Sequence, residues 1–361
     1  MRKILLALMS ATLVAGLLLS CGAAAEQYEI AMITDAGDID DESFNQGTWE
    51  GIVEYAEEND LSHRYYRPSE ISDSAYISAI DLAVRGGAEI VVTPGFLFEQ
   101  AIFSAQDTHP DVNFVLIDGA PHGGDYNVQV ADNTVSVFFA EEESGFLAGY
   151  AAVNDGFESL GYMGGMAVPA VVRFGVGYVA GSHYAADELD KEISFADNRY
   201  VYLGDFAPSD THKSQAESWY NAGTDVIFAA AGGAGSSVMA AAEDQDAWMI
   251  GVDVDQSANS DRVLTSAMKD LAQSVQQMLD AHYQGEFPGG ETLNLTATED
   301  GVGLPMESAR FRSFSESEYN EVFEMVAGGD IEVPSNYSEL QEFFAEHDLG
   351  DLVFAEGTIQ P

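Results

Sequence analysis

The chain contains the same pattern twice: two apolar, β-branched segments separated by about the length of one helix. In the first half, residues 87–92 lead to residues 114–118, and in the second half residues 223–228 lead to residues 249–253. This spacing is typical of parallel strands joined by crossover helices. It predicts two α/β lobes that face one another across a cleft, because ligands of open parallel sheets bind beyond the carboxyl ends of the strands.

An aspartate follows three of the expected strands directly. Asp35 comes after the first strand, near residues 28–34, and Asp118 and Asp253 end the second segment of each repeat. A single aspartate at such a position most often caps a turn or a helix. Three of them around one cleft favour a ligand-binding role, because carboxylates accept short, directional hydrogen bonds from N–H and O–H groups.

The length of the chain predicts two domains. At 361 residues it exceeds the size at which one hydrophobic core usually keeps growing. No proline-rich or low-complexity linker divides it, which favours lobes joined by several short crossovers. A helix expected at 268–283 would return the chain to the first lobe. The predicted division is 28–132 with 265–288 for the first lobe, and 133–264 with 289–361 for the second.

The N-terminus is expected to be separate from the fold. Two cations precede an apolar run at 4–19, which is typical of a secretory signal peptide. Residues 18–21 are similar to a bacterial lipobox, so we expect a signal peptide at 1–21, lipidation of Cys21 and a short tether at 22–27. Plain secretion is the alternative. Cys21 is the only cysteine, which excludes an intramolecular disulfide and a cysteine-ligated metal.

The net charge excludes one large class of partners. The chain has 13 Lys+Arg against 61 Asp+Glu, a formal charge of −48. Nucleic-acid binding requires clustered cations that neutralise phosphates, and such clusters are missing from the sequence. Acidity spread over the whole chain favours solvation at high salt and predicts a salt-adapted protein.

The sequence contains no recognisable catalytic or metal-binding motif. The histidines lack metal-ligand spacing, and neither a nucleophile elbow nor a Walker lysine occurs. The acidic loop 35–42 does not match an EF-hand, because Asp40 replaces the required glycine and Gln46 the final glutamate. Asp38, Asp40 and Asp41 are therefore interpreted as a solvated loop. We expect no enzyme activity, no cofactor and no metal.

Further candidates depend on their position along the chain. Lys269 is one of few lysines, and either binds a ligand, neutralises the cleft carboxylates or lies on a helix surface. Phe44, at a helix start, and Phe206, after a strand, would each present a ring to the cleft or pack in the core. Ser43 and Gln46 have the spacing of a helix capping box.

Seven segments carry a resemblance to a known family, in order along the chain: 34–35, 41–46, 49–51, 114–119, 145–149, 226–235 and 251–253. They resemble the Bmp family of envelope lipoproteins. The resemblance covers essentially the whole chain after the signal peptide and implies a type I periplasmic-binding-protein fold, with two Rossmann-like lobes joined by crossover hinge segments. It also implies a purine nucleoside receptor that serves an ABC importer.

The resemblance also implies where a nucleoside would bind. Backbone groups as well as side chains are involved, and the ligand would lie in the cleft. The implied contacts are Asp35 and Asp118 with the base edge, Phe44 and Phe206 with the two faces of the ring, and Asp253, Lys269 and the backbone near Gly232 with the ribose hydroxyls.

The expected partners follow from the same resemblance. They are a purine nucleoside (inosine, guanosine or adenosine), an ABC permease and, through Cys21, the extracytoplasmic face of a membrane; the protein itself is expected to be a monomer. A flat base gains from stacking between rings, and the acidity would repel nucleotides. The alternatives are a receptor for riboflavin or a sugar and, from another class, an envelope nucleoside hydrolase with clustered aspartates.

Overall fold

Two six-stranded sheets form the framework of the protein in the computed structural model, which describes residues 27–196 and 199–361. The strands are β1 (Ile30–Ile33), β2 (His63–Tyr66), β3 (Ile90–Pro94), β4 (Asn113–Ile117), β5 (Thr134–Phe139), β6 (Leu160–Gly164), β7 (Tyr200–Tyr202), β8 (Val226–Ala230), β9 (Trp248–Asp253), β10 (Val263–Lys269), β11 (Thr292–Leu295) and β12 (Val302–Gly303).

Helices connect these strands and cover both faces of each sheet. They are α1 (Phe44–Glu58), α2 (Asp73–Arg85), α3 (Glu99–Thr108), α4 (Glu141–Asn154), α5 (Pro169–Glu188), α6 (Asp210–Asn221), α7 (Gly235–Asp244), α8 (Leu271–Gln284), α9 (Glu316–Ala327), α10 (Tyr337–Glu346) and α11 (Glu356–Ile359).

Each sheet belongs to one lobe. The first has the order β11-β5-β4-β3-β1-β2 and is parallel throughout, and the second has the order β12-β10-β9-β8-β6-β7, in which only β12 is antiparallel. Every residue of β1, β3, β6 and β8 is buried, as expected for strands with helices on both faces. The prediction of two parallel-sheet lobes is therefore confirmed.

The chain passes between the lobes at three places in its described part: from β5 to α4, from β10 to α8, and from β11 to β12. These crossovers differ from the expected lobe boundaries at 133, 265 and 289. β5 pairs with β4 and β11 with β5 in the first sheet, whereas β10 pairs with β9 in the second. Strand pairing therefore decides where each lobe ends, because the backbone N–H and C=O groups of a buried strand find their hydrogen-bond partners in the neighbouring strands of its sheet.

The expected helix at 268–283 is displaced in its first turn. Its body, α8, packs against α1 and returns to the first lobe as predicted. Met268 and Lys269 instead pair with β12 as the end of β10, and the Asp270 side chain caps α8 by accepting a hydrogen bond from the Gln273 N–H. The strand therefore extends to the crossover, and Lys269 lies at its carboxyl end.

Helices α4 and α5 of the second lobe pack with their backbones almost in contact. A Cβ atom at Gly177 would lie 1.9 Å from the Glu142 carbonyl oxygen, and one at Gly181 would lie 2.1 Å from that of Phe146. Only glycine permits this approach. The first turn of α4, next to the first crossover, therefore lies directly against α5.

The expected signal peptide at 1–21 and the lipidated Cys21 fall outside the described residues, and so does all of the tether at 22–27 except Gln27. Among residues 27–196 and 199–361, no helix combines the length and the apolar character needed to cross a membrane.

Candidate ligand-binding site

A cavity lies between the two lobes, at the carboxyl ends of the strands. It encloses about 770 Å³ of empty space, part of which is open to solvent. All seven ligand-binding residues predicted from the sequence line it. Its lining consists of Asp35, Gly37, Asp41, Phe44, Asn45, Gly95, Phe96, Asp118, Val168, Pro169, Ala170, Val171, Phe174, Phe206, Ala230, Gly232, Gly233, Val252, Asp253 and Lys269.

Asp118 and Asp253 occupy matching positions in the two lobes. Asp118 follows β4 directly and Asp253 ends β9, and both adopt a left-handed backbone, with φ of 54° and 66°. Asp and Asn are among the few residues that adopt this conformation readily. Both side chains are only 8% exposed, and no described residue forms a hydrogen bond with Asp118 Oδ1. That oxygen is a buried acceptor available to a ligand.

Lys269 connects the two aspartates. Its Nζ lies 2.7 Å from Asp118 Oδ2, 3.3 Å from Asp253 Oδ1 and 3.6 Å from Glu141 Oε1. The side chain is 3% exposed, so the surface-helix interpretation is wrong and the counter-charge interpretation fits. Burial would lower the pKa of Lys269, but Asp118, Asp253 and Glu141 together raise it above its usual range. Lys269 is therefore charged and paired.

Contacts at the start of α1 also join the lobes. Ser43 Oγ donates to Asp253 Oδ2 across the cleft, and Gln256 Nε2 donates to the Glu42 carbonyl oxygen at 2.7 Å. The predicted capping box is wrong, because the Ser43 side chain bonds to the other lobe instead of capping α1. The Gln46 side chain accepts from the Glu42 N–H.

Asp41 performs the capping in place of Ser43. Its carboxylate accepts hydrogen bonds from the backbone N–H groups of Ser43, Asn45 and Gln46 and from the Asn45 side chain, at 2.9–3.1 Å. Burial raises the pKa of Asp41 to about 6, although these hydrogen bonds lower it. The expectation of a solvated loop therefore holds for the exposed Asp40 and is wrong for Asp41.

Asp35 lies beside Asp41 and shares a donor with it. Asn45 Nδ2 donates to Asp35 Oδ1 and to Asp41 Oδ2, each at 2.9 Å, and the Gly37 N–H donates to Asp35 Oδ1 at 2.9 Å. Burial raises the pKa of Asp35. Gly95 has φ of 113°, and a Cβ there would lie 2.9 Å from Asp35 Oδ2. Glycine at that position leaves room for the carboxyl group.

Aromatic rings reach the cavity from both lobes. Phe44 begins α1 in the first lobe, whereas Phe206 follows β7 in the second and lies beside Gly232. Lys269 Nζ lies 4.4 Å from the centre of the Phe44 ring and 5.5 Å from that of Phe174, within the range of cation–π attraction. Phe174, on α5, lines the cavity but carries no signal that sets it apart in the sequence.

The sequence analysis also missed two charged residues behind Lys269. Glu141, the first residue of α4, is fully buried, and its Oε2 lies 2.6 Å from Arg173 Nε on α5. Burial, together with the charge of Asp118, raises the pKa of Glu141. In the sequence Glu141 begins an acidic triplet that resembles a solvated helix start. Only the packing of α4 against α5 and β10 shows that it is enclosed.

A pH dependence of stability follows from the next residue, Glu142. Burial, and the charge of Glu141, raise its pKa from 4.5 to about 7. Because the folded protein binds this proton more tightly than the unfolded chain, the contribution is complete below the unfolded pKa and is lost as the pH rises through about 7. We expect the free energy of unfolding to increase as the pH falls from about 8 to about 5 at constant salt.

Glu142→Gln tests this assignment by urea unfolding over a pH series. It should reduce the increase in stability on acidification, because the titrating carboxyl is gone. The exposed Glu57 provides a control, since Glu57→Gln should preserve the pH dependence of the parent. A Glu142→Gln variant whose stability varies with pH as steeply as that of the parent would contradict the assignment.

Two lobes with parallel sheets, crossovers and a ligand-sized cavity between them define the type I periplasmic-binding-protein fold. A solute-binding protein from Aeropyrum pernix has a TM-score of 0.77 and 22% identity, with 89% of this chain and 97% of that chain covered. One from Conexibacter woesei has a TM-score of 0.68 and 21% identity, with 85% and 99% covered. At this identity the likeness shows the fold.

Sequence comparison adds the family. Residues 28–336 match the model of the Bmp family, described as PnrA-like ABC transporter substrate-binding proteins, and the chain belongs to this family. It is 30% identical over 302 residues to the ABC transporter nucleoside-binding protein BmpA of Lactococcus lactis, with 77% of this chain and 82% of the relative covered. It is 28% identical over 330 residues to basic membrane protein B of Borreliella burgdorferi, with 89% and 92% covered.

The family and fold predicted from the sequence are thus confirmed. The protein is the substrate-binding component of an ABC transporter and not an enzyme. Such components of ABC importers act on the extracytoplasmic side of the membrane.

Proposed function

We propose that this protein captures purine nucleosides in the cavity between its lobes and delivers them to the permease of an ABC importer. The observation that carries the proposal is the combination of aromatic rings from opposite lobes, Phe44 and Phe206, with carboxylates at the strand ends. Flat heteroaromatic bases gain from stacking on such rings. The relationship to a Lactococcus lactis protein named as nucleoside-binding supports the proposal.

The base would lie between Phe44 and Phe206, with its polar edge towards Asp35. Asn45 donates to Asp35 Oδ1, which leaves Oδ2 without a hydrogen bond among the described residues. This oxygen accepts an N–H group of the base, such as the one that inosine and guanosine carry on their Watson–Crick edge. Adenosine has only its exocyclic amine there and is expected to bind less tightly.

The ribose would lie by Asp253 and Lys269, near the backbone of Gly232. Asp118 was assigned to the base edge by family resemblance, but its hydrogen bond to Lys269 supports grouping it with the ribose contacts. Its buried, unpartnered Oδ1 would accept a hydroxyl of the sugar. Hydrogen bonds to ionised carboxylates are among the stronger and more directional ones.

The charge of the cavity favours a neutral nucleoside over a nucleotide. Among the described residues that line it, four carboxylates face a single cation, Lys269, which is already paired. A phosphate would meet repulsion without a free cation to offset it. We expect nucleoside monophosphates to bind far more weakly than the nucleosides.

Two measurements test the function. Native mass spectrometry of freshly purified protein should show a retained nucleoside, because tight receptors keep their ligand. Isothermal titration calorimetry should then detect binding of inosine, guanosine and adenosine by ligand-free protein, but not of inosine monophosphate, riboflavin or ribose. Absence of binding of every nucleoside, or preference for riboflavin or a free sugar, would refute the proposal.

The stacking role of Phe44 leads to a specific expectation. Phe44→Ala should weaken the binding of inosine, guanosine and adenosine by similar amounts, about 1–3 kcal/mol, because stacking depends little on base identity. Phe323 lies on α9 and does not line the cavity, so Phe323→Ala is the control. It should leave the affinities measured by calorimetry unchanged. If the variant binds only one of the three nucleosides more weakly, or binds all of them as the parent does, Phe44 does not act by stacking.

The anchoring of the protein is part of the proposal. The lipobox at 18–21 supports lipidation of Cys21 and attachment to the extracytoplasmic face of the membrane, where the protein works as a monomer. Cys21→Ala should move the protein from the membrane fraction to the soluble fraction without changing ligand affinity of the purified domain. A variant that stays with the membranes would exclude the anchor.

A further inference from the structure

Two charged residues, the fully buried Glu141 and the 22% exposed Arg173, lie behind Lys269 and do not line the cavity. Glu141 follows the first crossover, and Lys269 precedes the second. Glu141 Oε1 lies 3.6 Å from Lys269 Nζ, and Glu141 Oε2 lies 2.6 Å from Arg173 Nε. With the 2.7 Å hydrogen bond from Lys269 to Asp118, the four side chains form a continuous series of alternating charge that ends at the cavity wall.

The balance of charge in this cluster depends on Arg173. Lys269 alone faces three carboxylates, those of Asp118, Asp253 and Glu141. One cation among three buried carboxylates leaves two negative charges unpaired, and unpaired buried charge is strongly unfavourable. Arg173 supplies a second cation on the side of Glu141 that faces away from Lys269 Nζ. Its charged hydrogen bond is the shorter of the two contacts that Glu141 makes.

We propose that Arg173 and Glu141 are positioning residues for ligand binding: Arg173 holds Glu141, so that Lys269 stays hydrogen-bonded to Asp118 and remains beside Asp253. The inference rests on the proposed function, in which Lys269 and the two aspartates contact the ligand. Without Arg173, Glu141 would compete with Asp118 for the Lys269 ammonium. The acceptor and donor presented to a ribose hydroxyl would then be misplaced.

A pH signature separates this role from simple packing. The charged groups that face Glu141 are Asp118 after β4, Lys269 on β10, Arg173 on α5 and Glu142 on α4. Burial raises the pKa of Glu141, whereas Arg173 and Lys269 lower it. Loss of Arg173 raises this pKa further, so Glu141 becomes neutral on mild acidification. Neutral Glu141 no longer attracts Lys269, and ligand affinity recovers.

The test is a double-mutant cycle of Arg173→Met and Glu141→Gln, with inosine binding measured by calorimetry at about pH 8 and about pH 6. Arg173→Met should weaken inosine binding about tenfold or more at the higher pH, and less at the lower pH. Adding Glu141→Gln should restore the affinity to within about threefold of the parent, because both charges are then removed together. Arg173→Lys keeps the charge and should retain most of the affinity.

Arg262 provides the matched control, because it pairs with the exposed Asp246 far from the cluster. Arg262→Met should bind inosine as the parent does at both pH values. The inference is overturned if Arg173→Met binds as tightly as the parent. It is equally overturned if its loss of affinity is the same at both pH values and Glu141→Gln brings no rescue.

Unfolding without ligand separates this inference from the proposed function. Arg173→Met should lower the melting temperature more at about pH 8 than at about pH 6, and Glu141→Gln should reverse the loss. If the parent binds no nucleoside, the proposed function fails, and this measurement still decides whether Arg173 balances Glu141. If Arg173→Met does not fold, Glu141→Gln must rescue its folding; failure to do so overturns the inference.

Discussion

Replacing Lys269 with methionine is expected to lower the free energy of unfolding by about 3–5 kcal/mol, the range for breaking a buried ion pair. Lys269 is 3% exposed and lies within 3.6 Å of three carboxylates, two of which, those of Asp118 and Asp253, would lose their nearest cation. Calorimetry at neutral pH should also show loss of nucleoside binding, because the proposed ribose donor disappears and the remaining carboxylates repel one another. Methionine keeps most of the length of the unbranched side chain, so the loss reports mainly on charge.

The effect of Lys269→Met should depend on pH. Lys269 lowers the pKa of the buried Glu141, so without the ammonium this pKa rises further, and protonation of Glu141 relieves part of the repulsion among the three carboxylates. The variant should therefore regain stability, measured by urea unfolding, as the pH falls. Lys213→Met is the matched control, because Lys213 forms only surface pairs with Glu217 and Asp244, and it should unfold like the parent. Equal stability of Lys269→Met and Lys213→Met would contradict the account.

Asp253→Ala is expected to weaken inosine binding by about 1.5–3 kcal/mol, the range for a hydrogen bond to a charged group. Asp253 accepts from Ser43 Oγ and lies 3.3 Å from Lys269, so its carboxylate is fixed where a ribose hydroxyl would donate. The variant should also lose discrimination between ribonucleosides and 2′,3′-dideoxynucleosides, because the discriminating acceptor is absent. Calorimetry with inosine and dideoxyinosine measures both effects.

Asp253→Asn is the control for backbone strain. Asp253 has φ of 66°, which asparagine tolerates and alanine does not. The asparagine variant keeps the acceptor for Ser43 and removes the charge, so it should bind inosine with an affinity between those of the parent and the alanine variant. Tight binding of inosine by Asp253→Ala, with its preference over dideoxyinosine intact, would refute the ribose assignment.

The candidate site was predictable only in part, and the particular errors have physical causes. Asp35, Asp118 and Asp253 were predicted to face the cleft because they follow apolar strands, and all three line the cavity. Their ligand contacts remain predictions. Ser43 has the sequence spacing of a capping residue, but its hydroxyl donates a hydrogen bond to the Asp253 carboxylate of the other lobe. Asp41 instead caps α1, by accepting hydrogen bonds from backbone N–H groups in its first turn.

Glu141 and Arg173 were not predicted from the sequence, because nothing in their local context marks them as buried. An acidic triplet and a single arginine in helices normally indicate solvated faces. Here the glycines of α4 and α5 bring the two helices so close that the Glu141 side chain is fully buried and that of Arg173 is mostly buried. Their pairing depends on an approach of segments 32 residues apart, which no local pattern encodes.

The sequence by itself determined the architecture, because β-branched segments, helix-length spacing and strand-end aspartates are local patterns that repeat along the chain. Its motifs carried the resemblance to the family, and the apolar runs placed Asp35, Asp118 and Asp253 at the carboxyl ends of strands. Only the tertiary structure decided where the chain crosses between the lobes, that Lys269 ends a strand, and that Asp118, Asp253, Glu141 and Arg173 surround its charge. The physical reason is that burial and ion pairing depend on which distant segments pack together.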